Sequence, residues 1–559
     1  MDSAPLTADL LARAQAWADD DPDPQTTADL RALLMLAADG DETAAHELAD
    51  AFDGTLQFGT AGLRGRMGPG SNRMNRAVVT RAAAGLAAYL RAHGGRAIVI
   101  GYDARRHSDA FAHDTAQVMA AAGLSAMVLP RPLPTPVLAF AIHHLGADAG
   151  VMVTASHNPP ADNGYKVYLG DGVQIVPPAD AQIAACIAAV GSVRDVPRAD
   201  DYVTLGDDIE EAYIAHAASL VGDGPRDLDV VSTAMHGVGG VVFARAARTA
   251  GFSLPRPVPE QQEPDAQFPT VAFPNPEEPG AMDLALDLAR ATSPDLVIAH
   301  DPDADRCAAA IPRAGAWHLL TGDEVGALLG WWVLERQRRA GATPHGVVAE
   351  SIVSGTLLRA IAADAAVTCA VTLTGFKWIA RVPGLVYGYE EALGYCVDPT
   401  HVTDKDGITA ALLLMELAAD LKARGRTLDD VLDDLARRHG LHVTAPLTVR
   451  MDSPSVIAEA VGRLRAAPPT SLGGCAVTRV VDLASGVDGL PPTDGVLLEL
   501  AGARVVARPS GTEPKLKCYL QVVEPVASDA DASELAAARV RADEALVAVR
   551  RDLAVALGL

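Results

Sequence analysis

Residues 150–160 have the sequence Gly-Val-Met-Val-Thr-Ala-Ser-His-Asn-Pro-Pro, an apolar run that ends in polar residues and two prolines. The apolar run predicts a buried strand, and Ser156 follows it in a loop at the carboxyl end of that strand. Open α/β sheets bind their ligands at this end. The prolines restrict the following turn and hold the Ser156 hydroxyl in place. Because a serine in such a loop is more often a turn or cap residue, its role depends on the rest of the chain.

Similar apolar runs recur on both sides of this stretch. Residues 97–103 and 125–129 are separated by helical stretches, and comparable blocks follow at 229–299 and 346–373. This alternation predicts βαβ units on largely parallel sheets. After residue 440, strand-like runs at 442–450, 476–483, 496–500, 503–507 and 516–523 and an Ala-rich helix from about 532 predict a smaller α+β domain. We therefore predict three similar α/β domains with mixed, largely parallel sheets and a C-terminal α+β domain.

Length and composition limit the class of protein. A chain of 559 residues is too long for one core, and 49% hydrophobic residues exclude wholesale disorder. The net charge of −25 argues against nucleic acid or an anionic membrane as partner. Six cysteines without a Cys-x-x-Cys pair form no disulfide framework, and neither a signal peptide nor an apolar span is visible. We expect a soluble, cytoplasmic protein whose oligomeric state the sequence leaves open.

Residues 299–306, Ala-His-Asp-Pro-Asp-Ala-Asp-Arg, place three carboxylates directly after an apolar run. Asp301, Asp303 and Asp305 alternate, so they can converge on one divalent cation. A helix–loop–helix calcium site needs Gly and Glu where this chain has Arg306 and Pro312, so that type of site is excluded. An acidic surface turn would explain neither the preceding strand nor the arginine. The segment therefore predicts a Mg²⁺ site.

Residues 508–515, Arg-Pro-Ser-Gly-Thr-Glu-Pro-Lys, combine the groups that bind an anion. Ser510 and Thr512 supply hydroxyls, Gly511 allows free backbone N–H groups, and Arg508 and Lys515 supply positive charge. A plain turn between strands would need neither cation. We therefore predict a phosphate-binding loop.

Lysine is rare in this chain, which contains 40 Arg and 6 Lys. Five of the six lysines lie in or beside the motifs, although chance would explain any single one. An ammonium group offers a compact charge and a pKa that burial can lower. Lys166, ten residues after Ser156, could therefore return along the next strand to the same site as an acid/base group whose pKa can be lowered.

Two further segments have more than one interpretation. The third block contains Leu-Thr-Gly-Phe-Lys at 373–377, Tyr-Glu-Glu-Ala-Leu-Gly at 389–394 and His-Val-Thr-Asp-Lys-Asp-Gly at 401–407. Its carboxylates could accept hydrogen bonds from sugar hydroxyls, although adjacent glutamates are usually solvated. His-Gly-Val-Gly-Gly at 236–240 is similar to a dinucleotide-binding loop, but the third glycine position is Val242. Hydride transfer is therefore disfavoured.

Taken together, these segments resemble the α-D-phosphohexomutase superfamily of phosphoglucomutases and phosphomannomutases. The resemblance rests on Thr-Ala-Ser-His-Asn-Pro at 154–159, Asp-Pro-Asp-Ala-Asp-Arg at 301–306 and Arg-Pro-Ser-Gly-Thr-Glu-Pro at 508–514, in this order. It extends from Gly-Thr-Ala-Gly-Leu-Arg-Gly at 59–65 to Lys515. The segments at 163–168 and 390–395 are similar to the branch that includes phosphopentomutases and glucose-1,6-bisphosphate synthases.

The resemblance implies four domains around a central cleft. After an N-terminal helical extension, each domain would contribute one loop to the site. The expected ranges are 1–50 for the extension, 51–208 for domain I with a phosphoserine loop, 209–320 for domain II with the metal loop, 321–440 for domain III with a sugar-binding loop, and 441–559 for domain IV with the phosphate loop.

The resemblance also assigns roles to residues. Ser156 would be phosphorylated and would bind Mg²⁺ together with Asp301, Asp303 and Asp305. Lys166 would be the general acid/base, with His157 and Arg64 in the same loop cluster. The substrate-binding residues would be Arg306, Thr374, Gly375, Lys377, Glu390, Ala392, His401, Lys405, Arg508, Ser510, Gly511, Thr512 and Lys515.

The implied activity is that of a phosphoglucomutase, which interconverts glucose 1-phosphate and glucose 6-phosphate. Mg²⁺ would be the cofactor, and glucose 1,6-bisphosphate the intermediate and activator. Ala392 stands where many members of the superfamily have serine, so a phosphomannomutase, a phosphopentomutase or a bisphosphate synthase stays open. The alternative from another class is a sugar-phosphate sensor without activity, which would be expected to have lost Ser156, Lys166 or one of the aspartates.

Overall fold

The structure is a computed structural model that describes residues 6–59, 62–451, 453–509 and 515–559. The chain forms two compact units. The first contains the residues up to Ala309 together with Asp398–Glu416. The second contains Ala310–Val397 together with Leu417–Leu559. Each unit is described by itself below.

The first unit begins with three helices. Asp23 caps the second of them by accepting a hydrogen bond from the Gln25 N–H at 2.9 Å, and Pro24 occupies the first helical position, where no N–H donor is needed. Apolar side chains of all three helices, including Leu10, Leu30 and Leu48, are buried in one cluster. The helices are α1 (Ala8–Asp20), α2 (Pro24–Ala38) and α3 (Glu42–Ala51).

The first sheet has the strand order β1-β5-β4-β2-β3-β6. Strand β2 pairs in parallel with β3 and β4, whereas β5 pairs antiparallel with both β4 and β1. Every residue of β4 is buried because its apolar run is covered on both faces. The elements are β1 (Gly62–Arg66), α4 (Arg76–Ala92), β2 (Ala97–Tyr102), α5 (Ser108–Ala121), β3 (Ser125–Val128), α6 (Thr135–Leu145), β4 (Ala149–Val153), β5 (Asp162–Leu169), α7 (Ala179–Ala188) and β6 (Val203–Thr204).

The second sheet has the strand order β11-β10-β9-β7-β8. Its strand β7 pairs in parallel with β8 and β9. The boundary between the two units falls within β10. The elements are α8 (Asp208–Ser219), β7 (Val230–Thr233), α9 (Gly239–Thr249), β8 (Arg256–Pro257), α10 (Asp283–Thr292), β9 (Leu296–Ala299), β10 (Ala308–Arg313) and β11 (Ala316–Leu319).

The third sheet has the strand order β13-β12-β14-β15. Strand β12 is parallel to β13 and β14, and β15 returns antiparallel beside β14. Thr321 and Glu324 form a capping box at the start of the first helix of this block. The elements are α11 (Gly322–Arg339), β12 (Val347–Ser351), α12 (Leu357–Asp364), β13 (Thr368–Thr372), α13 (Phe376–Ile379), β14 (Leu385–Glu390), β15 (Gly394–Cys396), α14 (Gly407–Lys422) and α15 (Leu428–His439).

The C-terminal sheet has the order β16-β21-β20-β19-β18-β17, and its pairs are antiparallel. The last helix buries Leu546, Val549 and Leu553 against this sheet. The predicted strands and the helix from about residue 532 are confirmed. The elements are β16 (Leu441–Arg450), α16 (Pro454–Ala466), β17 (Ser471–Leu472), β18 (Cys475–Asp482), β19 (Val496–Leu500), β20 (Ala503–Pro509), β21 (Lys515–Glu524) and α17 (Ala532–Leu557).

The predicted fold class is confirmed, since three mixed α/β sheets precede an antiparallel sheet with helices. Within the described residues, no helix combines the length and the apolar content that crossing a membrane requires.

Candidate active site

Ser156 lies just beyond β4 in a constrained backbone conformation. Its φ of 50° is in the left-handed region, which is uncommon for a residue with a side chain. The Ser156 N–H donates to the Thr154 hydroxyl at 2.9 Å, and the Ser156 hydroxyl donates to Asp301 Oδ2 at 2.7 Å. His157 Nδ1 is 3.3 Å from the same hydroxyl. The loop thus presents the serine oxygen directly to the acidic segment 301–305.

Arg105 holds this loop, and the sequence did not reveal its role. The side chain is buried and donates hydrogen bonds to four backbone carbonyls that surround the serine. A guanidinium group can do this because its five N–H donors form a rigid fork. The acceptors are the carbonyls of Ser156 and Asn158, each at 2.6 Å, of Pro159 at 2.8 Å and of Asp162 at 3.2 Å.

Asp103 supplies the countercharge for this buried arginine. Its Oδ2 is 3.4 Å from Arg105 Nε, and its Oδ1 accepts a hydrogen bond from the Ser108 hydroxyl at 2.6 Å. Asp103 follows β2, whose carboxyl end lies at the same sheet edge as that of β4. An Asp-x-Arg sequence directly after a buried parallel strand is therefore the sequence feature that could have identified these two residues.

The three aspartates that follow β9 form a buried carboxylate cluster. Asp301, Asp303 and Asp305 are at most 1% exposed, and one ligand atom from each lies within 4.8 Å of the others. Burial and the two neighbouring carboxylates raise the pKa of Asp301 well above its usual value. Within the described parts of the chain, the Oδ1 atoms of Asp303 and Asp305 accept no hydrogen bond. Buried oxygens that repel one another and lack donors fit a divalent cation such as Mg²⁺.

Two lysines balance part of this negative charge. Lys166 Nζ lies 2.7 Å from Asp303 Oδ2 and 3.0 Å from Asp305 Oδ2, and Lys405 Nζ lies 3.4 Å from Asp305 Oδ2. Burial lowers the pKa of Lys166, but the two aspartates reverse this effect and leave the pKa raised. The pKa of Lys166 is therefore not lowered in this arrangement, because the carboxylates stabilise the ammonium form.

Arg306 and Thr135 are further neighbours of the cluster. The Arg306 guanidinium has its Nε 3.8 Å from Asp301 Oδ2 and 3.7 Å from Asp305 Oδ1. The Thr135 hydroxyl, at the start of α6, donates to Asp303 Oδ2 at 2.9 Å and was not expected from sequence. Arg64 lies on β1 opposite Gly164, one diagonal position from Lys166 on the neighbouring strand β5.

The glycines at 237 and 239 have a packing role beside the acidic segment. A Cβ atom on Gly237 would lie 2.3 Å from the Pro302 Cα, and one on Gly239 would lie 2.6 Å from the Ala304 Cβ. Neither distance is compatible with a side chain. Close approach to residues 302–304 thus explains these glycines without a dinucleotide.

In the second unit, the predicted sugar-binding residues lie at the β14–β15 hairpin. Glu390 pairs with Gly394, so Glu391 and Ala392 lie in the intervening turn. Glu391 Oε2 accepts hydrogen bonds from the hydroxyls of Ser351 at 3.0 Å and Ser354 at 3.2 Å, which hold the turn in place. Burial and the neighbouring Glu390 raise the pKa of Glu391 to about 7.

The same unit gathers positive charge around the predicted phosphate loop. Arg508 on β20 lies opposite Lys517 on β21, and Lys515 lies opposite Arg450 on β16. Four basic residues thus lie at paired positions on these three neighbouring strands. The Arg508 guanidinium also donates to the Thr374 hydroxyl, which joins two predicted substrate-binding motifs. Ser510, Gly511 and Thr512 lie outside the described residues.

Lys377 and His401 are two further residues that were predicted to bind the substrate. Lys377 Nζ is 5.9 Å from the centre of the Trp378 ring, just after Gly375 at the start of α13. His401 belongs to the first unit, where its ring contacts His216 and its Nδ1 lies 2.9 Å from Asp398 Oδ2. The substrate-binding roles of both residues stay predictions.

A serine hydroxyl bonded to a carboxylate cluster that fits a divalent cation, at the edge of mixed α/β sheets, has the parts that a phosphoryl-transfer enzyme needs. Three family models match the chain, described as phosphoglucomutase/phosphomannomutase alpha/beta/alpha domain I at residues 55–194, domain II at 211–315 and domain III at 321–439. The chain belongs to this phosphoglucomutase/phosphomannomutase family. It is therefore a phosphomutase, an isomerase that acts as an intramolecular phosphotransferase.

Relatives of this chain differ in the sugar that their names give. A Haemophilus influenzae protein named "Probable phosphomannomutase" is 47% identical over 466 residues, which cover 82% of this chain and 95% of that protein. The Homo sapiens phosphopentomutase is 34% identical over 555 residues, which cover 89% of each chain. A solved structure described as "putative phosphomannomutase" from Thermus thermophilus is 27% identical, has a TM-score of 0.68, and covers 88% of this chain and 99% of its own.

The phosphohexomutase superfamily uses Mg²⁺ and a sugar bisphosphate intermediate. The buried aspartate cluster supplies ligands of the right kind for the metal.

We expect Arg105→Lys to lower kcat about 10- to 100-fold, because one ammonium cannot hold the four carbonyls that position Ser156. The KM for the sugar phosphate should change little, since Arg105 bonds only the loop backbone in the described contacts. Steady-state kinetics measure both constants. Arg226→Lys is the matched control, since Arg226 also bonds backbone carbonyls and lies 5.0 Å from the ring centre of Phe252. Equal activity of the two variants would contradict the assignment.

We expect Mg²⁺ affinity to rise with pH and Mg²⁺ binding to release protons. The raised pKa of Asp301 means that this carboxyl holds a proton at pH values where an ordinary aspartate is ionised, and a bound cation must displace it. Calorimetric titration in buffers of different ionisation enthalpy measures the number of protons released. Asp301→Asn should bind Mg²⁺ more weakly and without this release. A pH-independent affinity in the unchanged protein would argue against a protonated Asp301.

Proposed function

We propose that this enzyme interconverts glucose 1-phosphate and glucose 6-phosphate through a phosphorylated Ser156 and glucose 1,6-bisphosphate. The observation that carries the proposal is the 2.7 Å hydrogen bond from the Ser156 hydroxyl to the buried carboxylate cluster. It places a potential phosphate acceptor beside a site that fits Mg²⁺. The description of the family includes phosphoglucomutase, which supports glucose as the first sugar to test.

In the first half-reaction, phosphorylated Ser156 would transfer its phosphoryl group to O6 of glucose 1-phosphate. The bond between phosphorus and Ser156 Oγ breaks as the bond to O6 forms, and the proton of the O6 hydroxyl passes by way of an acid/base group to the Ser156 oxygen. In the second half-reaction the bisphosphate, bound in the opposite orientation, returns its O1 phosphoryl group to Ser156. Glucose 6-phosphate is released, and the enzyme is phosphorylated again.

Lys166 is the proposed carrier of the proton. Its raised pKa keeps it in the ammonium form, which can donate a proton to the oxygen that leaves phosphorus. To act as a base for the attacking hydroxyl it must lose that proton, and its ion pairs with Asp303 and Asp305 oppose the loss. A bound Mg²⁺ would neutralise charge on the transferring phosphoryl oxygens. The same carboxylates, if they held the metal, would stabilise the ammonium form of Lys166 less.

Residues of the second unit are proposed to recognise the substrate. Arg508 and Lys515, with Ser510, Gly511 and Thr512 of the same loop, would bind the phosphate that does not react. The hydrogen bond from the Arg508 guanidinium to the Thr374 hydroxyl supports this role, because two of the predicted substrate-binding side chains are in contact. Glu390 would accept hydrogen bonds from sugar hydroxyls.

Ala392 bears on the choice of sugar. It offers no hydroxyl to the substrate, so a contact available to a serine at this position is missing. Mannose 1-phosphate and pentose 1-phosphates are therefore the alternative substrates, and the names of relatives provide examples of both. The phosphoryl-transfer steps would be unchanged.

We expect Ser156→Ala to abolish mutase turnover and the labelling of the protein by phosphate from the bisphosphate. The reason is that no other atom of the protein accepts the phosphoryl group in the proposed mechanism. A coupled assay measures turnover, and intact-protein mass spectrometry measures labelling. Ser533→Ala, at an exposed position in α17, should retain both properties. Turnover close to that of the unchanged enzyme would remove Ser156 from the mechanism.

We expect kcat/KM to be highest for glucose 1-phosphate in a panel with mannose, ribose and deoxyribose 1-phosphates. The assays contain Mg²⁺ and trace glucose 1,6-bisphosphate. A preference of about tenfold or more for another sugar would identify one of the alternative mutases and would replace glucose in the proposal. Ala392→Ser, tested in the same panel, measures how much the missing hydroxyl relaxes the choice of sugar.

A further inference from the structure

A second cluster of possible metal ligands lies in the first unit. His216 Nε2 is 2.6 Å from Asp398 Oδ2, and His401 Nδ1 is 2.9 Å from the same oxygen. One ligand atom from each of the three residues lies within 4.8 Å of the others. This cluster, here the histidine–aspartate cluster, shares no residue with the aspartate cluster that fits Mg²⁺.

We propose that the histidine–aspartate cluster binds a transition-metal dication of the Zn²⁺ class. Two imidazole nitrogens and one carboxylate oxygen are ligands that Zn²⁺ prefers, and a water can complete a tetrahedral site. Mg²⁺ prefers oxygen ligands only, so the donor set distinguishes this site from the aspartate cluster. The proposal does not depend on which sugar the enzyme uses.

The arrangement of the side chains favours coordination. The His216 and His401 rings lie against each other, with their centres 4.0 Å apart, and the Phe140 ring stacks on His216 with the two ring centres 5.5 Å apart. The Thr400 hydroxyl donates to Asp398 Oδ1 at 2.6 Å and leaves Oδ2 directed at the two nitrogens. Such contacts from outside the ligand set orient metal ligands in known sites. Among the three ligands only His401 is well exposed, at 51% of its side chain, which gives a metal ion access.

The alternative is a hydrogen-bond network in which both imidazoles donate to one carboxylate oxygen. That network requires a proton on each of the two nitrogens, whereas coordination requires each to be free of its proton. The two interpretations therefore predict opposite responses to added metal.

Metal binding would tie two parts of the chain together. His216 lies on α8, whereas Asp398 is the residue at which the chain re-enters the first unit. The re-entering segment, Asp398–Glu416, also contains Lys405, which contacts Asp305. A metal that binds the folded form would stabilise this segment against unfolding.

The test is calorimetric titration of the full-length protein with Zn²⁺ in the presence of excess Mg²⁺, which occupies the aspartate cluster. We expect one Zn²⁺ ion to bind per chain, and His216→Asn and His401→Gln each to weaken binding by about tenfold or more. His345→Gln, in the second unit, and Asp305→Asn, in the aspartate cluster, should bind Zn²⁺ at this site as the unchanged protein does. Binding that is unaffected by the first two variants, or is lost in Asp305→Asn, would overturn the proposal.

Thermal unfolding provides a second measurement. Zn²⁺ should raise the Tm of the unchanged protein and should raise it much less in His401→Gln. Because His401 is half exposed, this variant is expected to fold. If Zn²⁺ raised the Tm of both proteins equally, the proposed site would be refuted. It would also be refuted if Zn²⁺ neither raised the Tm of the unchanged protein nor bound to it in the calorimetric titration.

Discussion

The mutual repulsion of three buried carboxylates is the constraint on which the first unit depends. Asp301, Asp303 and Asp305 have almost no contact with solvent, and they face one another at the end of one strand. Lys166, contributed by another sheet, and Lys405, contributed by the re-entering segment, partly balance this charge. The oxygens that still lack a donor fit a divalent cation. A bound metal ion, of the kind that phosphoryl transfer uses, would thus offset the free-energy cost of burying the carboxylates.

A buried arginine, rather than the carboxylate cluster, holds the loop that contains Ser156. Ser156 has a backbone conformation that most residues avoid, and strain of this kind persists only where the surroundings impose it. The buried Arg105 holds the loop through its backbone carbonyls rather than through the serine side chain. In the proposed mechanism, the hydroxyl would exchange a phosphoryl group while the position of its loop stays fixed.

The net charge of −25 does not conflict with an anionic substrate. On the C-terminal sheet, Arg508 lies opposite Lys517 and Arg450 lies opposite Lys515. The local arrangement of basic residues therefore carries more information about a small anion than the sum of charge over the chain. Net charge excludes a polymeric anion more readily than a single phosphate.

The sequence by itself determined the order of the α/β blocks, the antiparallel C-terminal sheet and the motifs around Ser156 and Asp301. These features are local, because apolar periodicity and ligand spacing are properties of short segments. Only the tertiary structure decided the partners of those motifs. It gave Arg105 and Thr135 their positions beside the site, placed Lys166 between two aspartates that raise its pKa, and joined His216 to Asp398 and His401. Each of these effects depends on residues far apart in the chain, whose distance and burial no local pattern contains.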